Sequence, residues 1–146
     1  MKILRSLWLR RSHLHPQLKN KMSSDKLDEL FRLRREFMSH MERVKPGSYP
    51  ECPLDISKKS SQQLIRDLSL KGVEEMFEAL GHLKNWKPHR STENTEFNRE
   101  EFLEEVVDAF NYFLSMLVLM GVTSEELYSA YCKKDAKIHD RLRTGY

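Results

Sequence analysis

The chain is poor in the residues that interrupt regular structure. Its 146 residues include only five glycines and five prolines, and 32% are charged. That balance argues against a chain built on many short turns and suits an all-helical protein. Cysteine is nearly absent. Cys52 and Cys132 are the only two, and their spacing excludes a thiolate metal motif. They are expected as reduced thiols in a cytosol-like compartment. Long apolar runs are missing too. The longest lies around Phe113 to Val122 and is broken by Ser115 and Gly121, so no membrane span is expected. Acids are missing from one segment only. Residues 1–22 carry Lys2, Arg5, Arg10, Arg11, Lys19 and Lys21 and no acid. Setting those six aside from the 25 basic residues leaves 19 against 22 acids, so the body is mildly acidic despite a net charge of +3. An acidic body does not favour a nucleic-acid groove.

The basic segment reads as separate from the core. Ser6 and Ser12 lie among its cations, and Ile3, Leu4, Leu7, Trp8 and Leu14 make a crude amphipathic pattern. It fits either a mitochondrial-type transit peptide or an upstream extension with a functional start at Met22. Location is then cytoplasmic, or mitochondrial on the transit reading. Residues 23–146 are of a length to form one domain with a sizeable core.

Four long helical patterns fill that domain. The first runs from a cap at Ser24 or Asp25 to about Val44, with Leu27, Leu30, Phe31, Met38 and Met41 inward. Arg34 falls in this series and is expected to snorkel to water. Pro46 to Pro53 is a stiff linker, and Asp55 to Gln62 leads towards a second helix over Gln63–Leu83. Its apolar stripe is Ile65, Leu68, Met76, Leu80 and Leu83. The third runs from the capping box Asn98-Arg-Glu-Glu101 to about Met120, with Gly121 placed to end it. The fourth starts at the box Thr123-Ser-Glu-Glu126.

The third helix bears the first chemical signal. Phe102, Leu103, Val106, Phe110, Phe113, Leu114 and Leu117 form a broad apolar face. Glu105 and Asp108 lie opposite, three residues apart, and head a stripe that continues as Tyr112, Met116 and Leu119. A surface helix keeps that side polar to its end. The two acids therefore face protein or ligand, where a divalent metal is a suitable partner. The competing reading is a pair of acids opening a helix in water. Glu75 and Glu78 repeat the spacing on the second helix. Antiparallel packing can bring four such carboxylates together, as in bundle metal sites.

Two further stretches suggest contacts to an anion. Lys84-Asn-Trp-Lys87 sets Trp86 beside two lysines, suited either to stacking a base or to packing under its own loop. On the last helix Leu127, Tyr131, Lys134, Ile138 and Arg141 fall on one line read as inward. Cations there would meet internal acids or a polyphosphate.

Taken together these residues resemble a known family. Glu105-Val-Val-Asp108-Ala-Phe-Asn-Tyr-Phe-Leu, the turn at Gly121, Glu125-Glu-Leu-Tyr, Tyr131-Cys-Lys-Lys134 and Arg141-x-x-x-Gly145-Tyr146 are similar to the dimeric all-α dUTPases. Within the MazG-like all-α NTP pyrophosphohydrolase superfamily, they look most like the dCTP/dUTP pyrophosphatases of T-even phages. The likeness covers about residues 25–146 and includes Glu75-Met-Phe-Glu78 and Lys84-Asn-Trp-Lys87. It implies a four-to-five-helix bundle and a homodimer. It also implies Mg²⁺-dependent hydrolysis of dUTP or dCTP, by attack on the α-phosphorus, to the monophosphate and pyrophosphate. Glu75, Glu78, Glu105 and Asp108 would be the metal ligands and catalytic acids. Lys134, Arg141 and Tyr146 would contact phosphate or close the tail, and Trp86 and Lys87 would line the pocket.

The chain departs from the family pattern at four places. Asp135 and Ile138 stand where asparagines are usual, Arg34 near the usual position of an inward glutamine, and Asn111 where histidine is common. These positions bear on the base and sugar, and Asn111 and Asp135 are candidates for substrate contact. An ionised Asp135 only accepts hydrogen bonds, so at the base edge it would favour the N4–H₂ of cytosine over the O4 of uracil. Alternatively it pairs with Lys134 or Arg141. Another or modified dNTP, or a non-catalytic helical interaction role, remain the rival functions. A di-iron or di-manganese carboxylate bundle is disfavoured, since neither acid helix has Glu-x-x-His.

Overall fold

The computed structural model describes residues 25–94 and 96–145. Among these are four helices and no strand: α1 (Lys26–Val44), α2 (Lys59–Gly81), α3 (Arg99–Leu119) and α4 (Ser124–Thr144). The chain is thus an all-α bundle, as expected. The basic segment 1–22 and Tyr146 lie outside the described residues.

Three of the helices begin on a side-chain cap. Asp25 accepts from the Leu27 N–H, Asn98 from Glu100 and Glu101, and Thr123 from Glu126. Each carboxylate, amide or hydroxyl oxygen satisfies donors that the first turn leaves open. α2 lacks such a cap and starts at Lys59, four residues before the expected start at Gln63. α3 ends at Leu119, and two residues on Gly121 turns the chain with a φ of +74° that glycine adopts without strain. A Cβ there would also lie 2.9 Å from Cβ of Pro53. The linker docks at this corner, with the Leu54 N–H donating to the Leu119 carbonyl at 2.8 Å.

α3 is the central helix. It packs against α2 on one side and α1 on another, while α4 packs only against α1. Ser69 meets Met116, and Gly72 meets Phe113 and Ala109. Numbers rise along α2 as they fall along α3, so the pair is antiparallel. The core is Phe31 and Met38 from α1, Leu68 from α2, and Leu114, Val118 and Leu119 from α3. Full burial of each such side chain is worth roughly 1.5–3 kcal/mol.

The buried faces differ from those read off the pattern. On α3 the buried residues are Glu105, Ala109, Leu114, Ser115, Val118 and Leu119. Leu103 and Phe110, from the broad apolar face, are 43% and 44% exposed. In the first half of α3 the acid stripe is the inner one. On α2, Leu80 is exposed, as is Leu83 beyond the helix end at Gly81, and the small residues Gly72 and Ala79 are buried instead. On α1, Leu30 is exposed. Arg34 does not snorkel and is only 9% exposed. No residue of α4 is buried, so Lys134 and Arg141 share an exposed stripe rather than an inward one. Apolar periodicity locates a helix but does not say which of its faces a neighbour covers. Here the inner seam takes small and polar residues because two helices approach closely along it.

Gly72 is the point of that approach. A Cβ would stand 3.0 Å from Cζ of Phe113 and 3.2 Å from the carbonyl oxygen of Ala109. Two residues without a large side chain, Gly72 and Ala109, let the backbones of α2 and α3 draw together one turn from Glu75 and Glu105.

A candidate metal centre between two antiparallel helices

Helical spacing puts Glu75 and Glu78 on neighbouring turns of one face of α2. The antiparallel seam brings that face to Glu105 on α3. The three side chains can each place a carboxylate oxygen within 4.8 Å of the other two. Glu105 is 7% exposed and Glu75 half-buried. Asp108 follows Glu105 by one turn and is also half-buried. It is not one of the tight three, yet its charge is felt at Glu75. Of the four acids in the sequence pattern, three meet and the fourth adjoins them.

The electrostatics are those of carboxylates crowded together and partly buried. Burial pushes the Glu75 carboxyl up, and Glu78, Asp108 and Glu105 push in the same direction. Burial also raises Asp108, reinforced by Glu105 and opposed by Asn111 and, more weakly, by Arg34. An all-oxygen donor set of this kind fits a hard divalent cation such as Mg²⁺, Mn²⁺ or Ca²⁺. The 4.8 Å spread exceeds only slightly the ~4 Å across an octahedral Mg²⁺ site with bonds of about 2.1 Å.

Next to the acids lies a polar seam that the sequence pattern did not reveal. Tyr112 is half-buried, and its phenol is pushed up first by burial and then by the Glu75 carboxylate, with Arg34 pulling the other way. Arg34 Nε donates to Ser115 Oγ at 2.5 Å, and Nη2 donates to the Tyr49 hydroxyl at 3.2 Å. Burial draws the Arg34 pKa below its ordinary value. Ser115, inside an apolar run, and Arg34, inside an apolar series, were visible signals of such a seam. Tyr49, in a linker, offered none.

The remaining candidates are dispersed. Asn111 is half-buried beside Asp108. Trp86 is 68% exposed, with Lys87 Nζ 5.2 Å from its ring centre, so it does not pack under its own loop. That loop is closed by Asn85, which exchanges two hydrogen bonds with the Asn94 backbone. Lys134, Asp135 and Arg141 lie on α4, which touches neither acid helix. Asp135 faces His139 at 3.6 Å, and not Lys134 or Arg141. Tyr146 is outside the described residues.

Comparison with family models, with curated proteins and with solved structures gave no match.

The raised carboxyls make a pH prediction. Their folded pKa values exceed the unfolded ones, so the native state holds these protons more tightly. Their contribution to stability is therefore complete below the unfolded pKa and is lost as pH rises through the folded one. In metal-free buffer at pH 7, Glu75→Gln and Asp108→Asn should each raise the Tm. The advantage should have vanished at about pH 3, where both carboxyls are largely protonated even in the unfolded chain. Thermal unfolding across pH checks this, and a lower Tm for either variant at pH 7 would contradict it.

Proposed function

We propose that the protein is a Mg²⁺-dependent nucleoside triphosphate pyrophosphohydrolase acting on dUTP, dCTP or both. The observation that carries this reading is the meeting of Glu75, Glu78 and Glu105 from two antiparallel helices, with carboxylate oxygens within 4.8 Å. The resemblance of the surrounding residues to the all-α dUTPases supplies the substrate class.

Glu75, Glu78 and Glu105 would hold the metal, with Asp108 completing the set from the next turn. When bound, Mg²⁺ supplies neutralisation of triphosphate charge and a water of lowered pKa. The reaction adds water across the α–β phosphoanhydride and yields a monophosphate and pyrophosphate. The chain's own part is placement: Gly72 and Ala109 hold the acid helices together, and burial of Glu105 keeps bulk water from one side of the cluster. A carboxylate oxygen not engaged by metal orients the attacking water.

The active species on this reading is a homodimer. Leu70, Val73, Phe77 and Leu80 form an exposed stripe on α2, and Leu103, Val107 and Phe110 another on α3. Tyr128, Tyr131 and Leu142 are exposed on α4. Apolar surface on three helices calls for a covering partner. Because α4 stays clear of its own acid helices, Lys134 and Arg141 would meet a triphosphate held on a second copy.

Pyrophosphate release from dUTP, dCTP, dTTP and dATP with Mg²⁺ tests the activity. Glu78→Gln and Asp108→Asn should each reduce turnover by at least about a hundredfold while helical circular dichroism persists. Near-native turnover in either would remove the four-carboxylate site. Light scattering at micromolar protein should give twice the chain mass of 17.4 kDa. A fully active monomer would refute the dimer.

A further inference from the structure

The seam between α2 and α3 continues past the acids, towards the loop that joins the two helices. Its rungs are antiparallel contacts: Ser69 with Met116, Gly72 with Phe113, and His82 with Glu101. Between the last two, the same register sets Glu78 near Glu105. His82 is one turn beyond Glu78, and Glu101 is one turn before Glu105. The His82–Glu101 rung therefore stands about 6 Å from the acids along the helix axis.

His82 Nδ1 lies 3.7 Å from Glu101 Oε2, with the imidazole half-buried and the carboxylate exposed. An ion pair this open to water is worth little by itself. Its surroundings set it apart. His82 is the C-terminal cap residue of α2, where the last carbonyls favour a cation. Glu78 precedes it by one turn on its own helix. Glu101 faces it from α3, with Glu105 one turn on. Two loop cations are engaged elsewhere: Lys84 Nζ donates back to the Gly81 carbonyl, and Lys87 lies over Trp86. Among the described residues α2 packs against α3 and no other helix, so α1 and α4 set no charge against this end. His139, by contrast, pairs with Asp135 within a single helix.

A proton on His82 and a divalent cation at the acids meet the same need. Each adds positive charge beside one crowded set of carboxylates. Positive charges offset by about 6 Å lie within a Debye length of about 10 Å and repel each other. Loading either site opposes loading the other, and by linkage the effect is reciprocal.

We propose that His82 and Glu101 form a proton-operated clasp at the loop end of the acid seam, closed by a proton on the imidazole and opened when a divalent cation occupies the acids. The inference rests on the metal-site reading above. In the closed form the imidazolium holds the Glu101 carboxylate and ties the end of α2 to the start of α3. On opening it gives one proton to solvent and becomes neutral. Cation uptake is then favoured as pH rises through the histidine range of about 5 to 8.

The test is the Mn²⁺ affinity of the metal-free full chain at about pH 6 and about pH 7.5, read from the paramagnetic resonance of the free ion. Wild type, His82→Gln and His82→Lys are compared. Glutamine is neutral at both pH values. That variant should match wild type within about twofold at the higher pH and bind at least about threefold more tightly at the lower. Lysine is charged at both, and that variant should bind at least about threefold more weakly than wild type at the higher pH. Protonation of the acids themselves acts on all three proteins, so comparison at one pH isolates residue 82. A merely structural role would weaken binding in His82→Gln at both pH values. An imidazole that ligates the ion would weaken it at the higher one. Either result overturns the proposal, as does equal affinity of wild type and His82→Gln at the lower pH. Where His82→Gln fails to fold, His82→Asn takes its place, since asparagine is neutral and suits a helix C-terminus. No saturable Mn²⁺ binding by wild type at either pH removes the metal-site reading and this one with it. Saturable binding with a pH profile independent of His82 removes this one alone.

Discussion

Contact between Gly72 on α2 and the Phe113 ring and Ala109 carbonyl on α3 sets the distance between those helices. One turn further on, the same seam carries Glu75, Glu78 and Glu105. Their carboxylates come together because the backbones do, and the backbones do because the residues between them are small. A larger residue at position 72 would have to displace Phe113 or the α3 backbone. The acids would then separate and be hydrated individually, too far apart to share one ion. Packing and chemistry thus share a single constraint at this seam.

The bundle is divided along α3. Its C-terminal half is apolar on several sides and makes the core through Leu114, Val118 and Leu119. Its N-terminal half turns Glu105 and Asp108 inward and leaves Leu103, Val107 and Phe110 at the surface. This arrangement is opposite to the one that would stabilise an isolated chain, since charge is buried and apolar surface is exposed. Both costs become gains under stated conditions. A cation at the acids would relieve their repulsion, and a second copy would cover the apolar stripes. Arg34, buried on α1 and held by Ser115 of α3 and by Tyr49, extends the polar seam away from the acids.

Much of the helical framework was legible in the sequence because it is encoded locally. Asn98, Thr123 and Gly121 mark boundaries through cap and left-handed geometry, which depend on a few adjacent residues. The acid pairs were legible for the same reason, as i, i+3 spacing is a property of one helix. What failed was the choice of face. Leu80, Leu103 and Phe110 look like core residues on a helical wheel, yet a wheel does not report which side the neighbouring helix takes. The last helix misled most, since the line from Leu127 to Arg141 has inward periodicity but only α1 touches it. Arg34 was misjudged because arginine usually extends to water. Its fixation by Ser115 and Tyr49 depends on residues 81 and 15 positions away, beyond the reach of any local pattern.

Direct ion binding tests, without reference to turnover, whether the seam between α2 and α3 is a metal site. Mn²⁺ takes the same oxygen ligands as Mg²⁺ and loses its free-ion paramagnetic resonance signal on binding. Titration of metal-free protein should show Mn²⁺ bound in a saturable way and displaced by Mg²⁺. Glu105→Gln, which neutralises the buried ligand with little change of shape, should weaken that binding by at least about tenfold, as losing a buried charged ligand costs more than ~1.4 kcal/mol. Binding of equal strength in wild type and Glu105→Gln, or no saturable binding in wild type, would contradict the account.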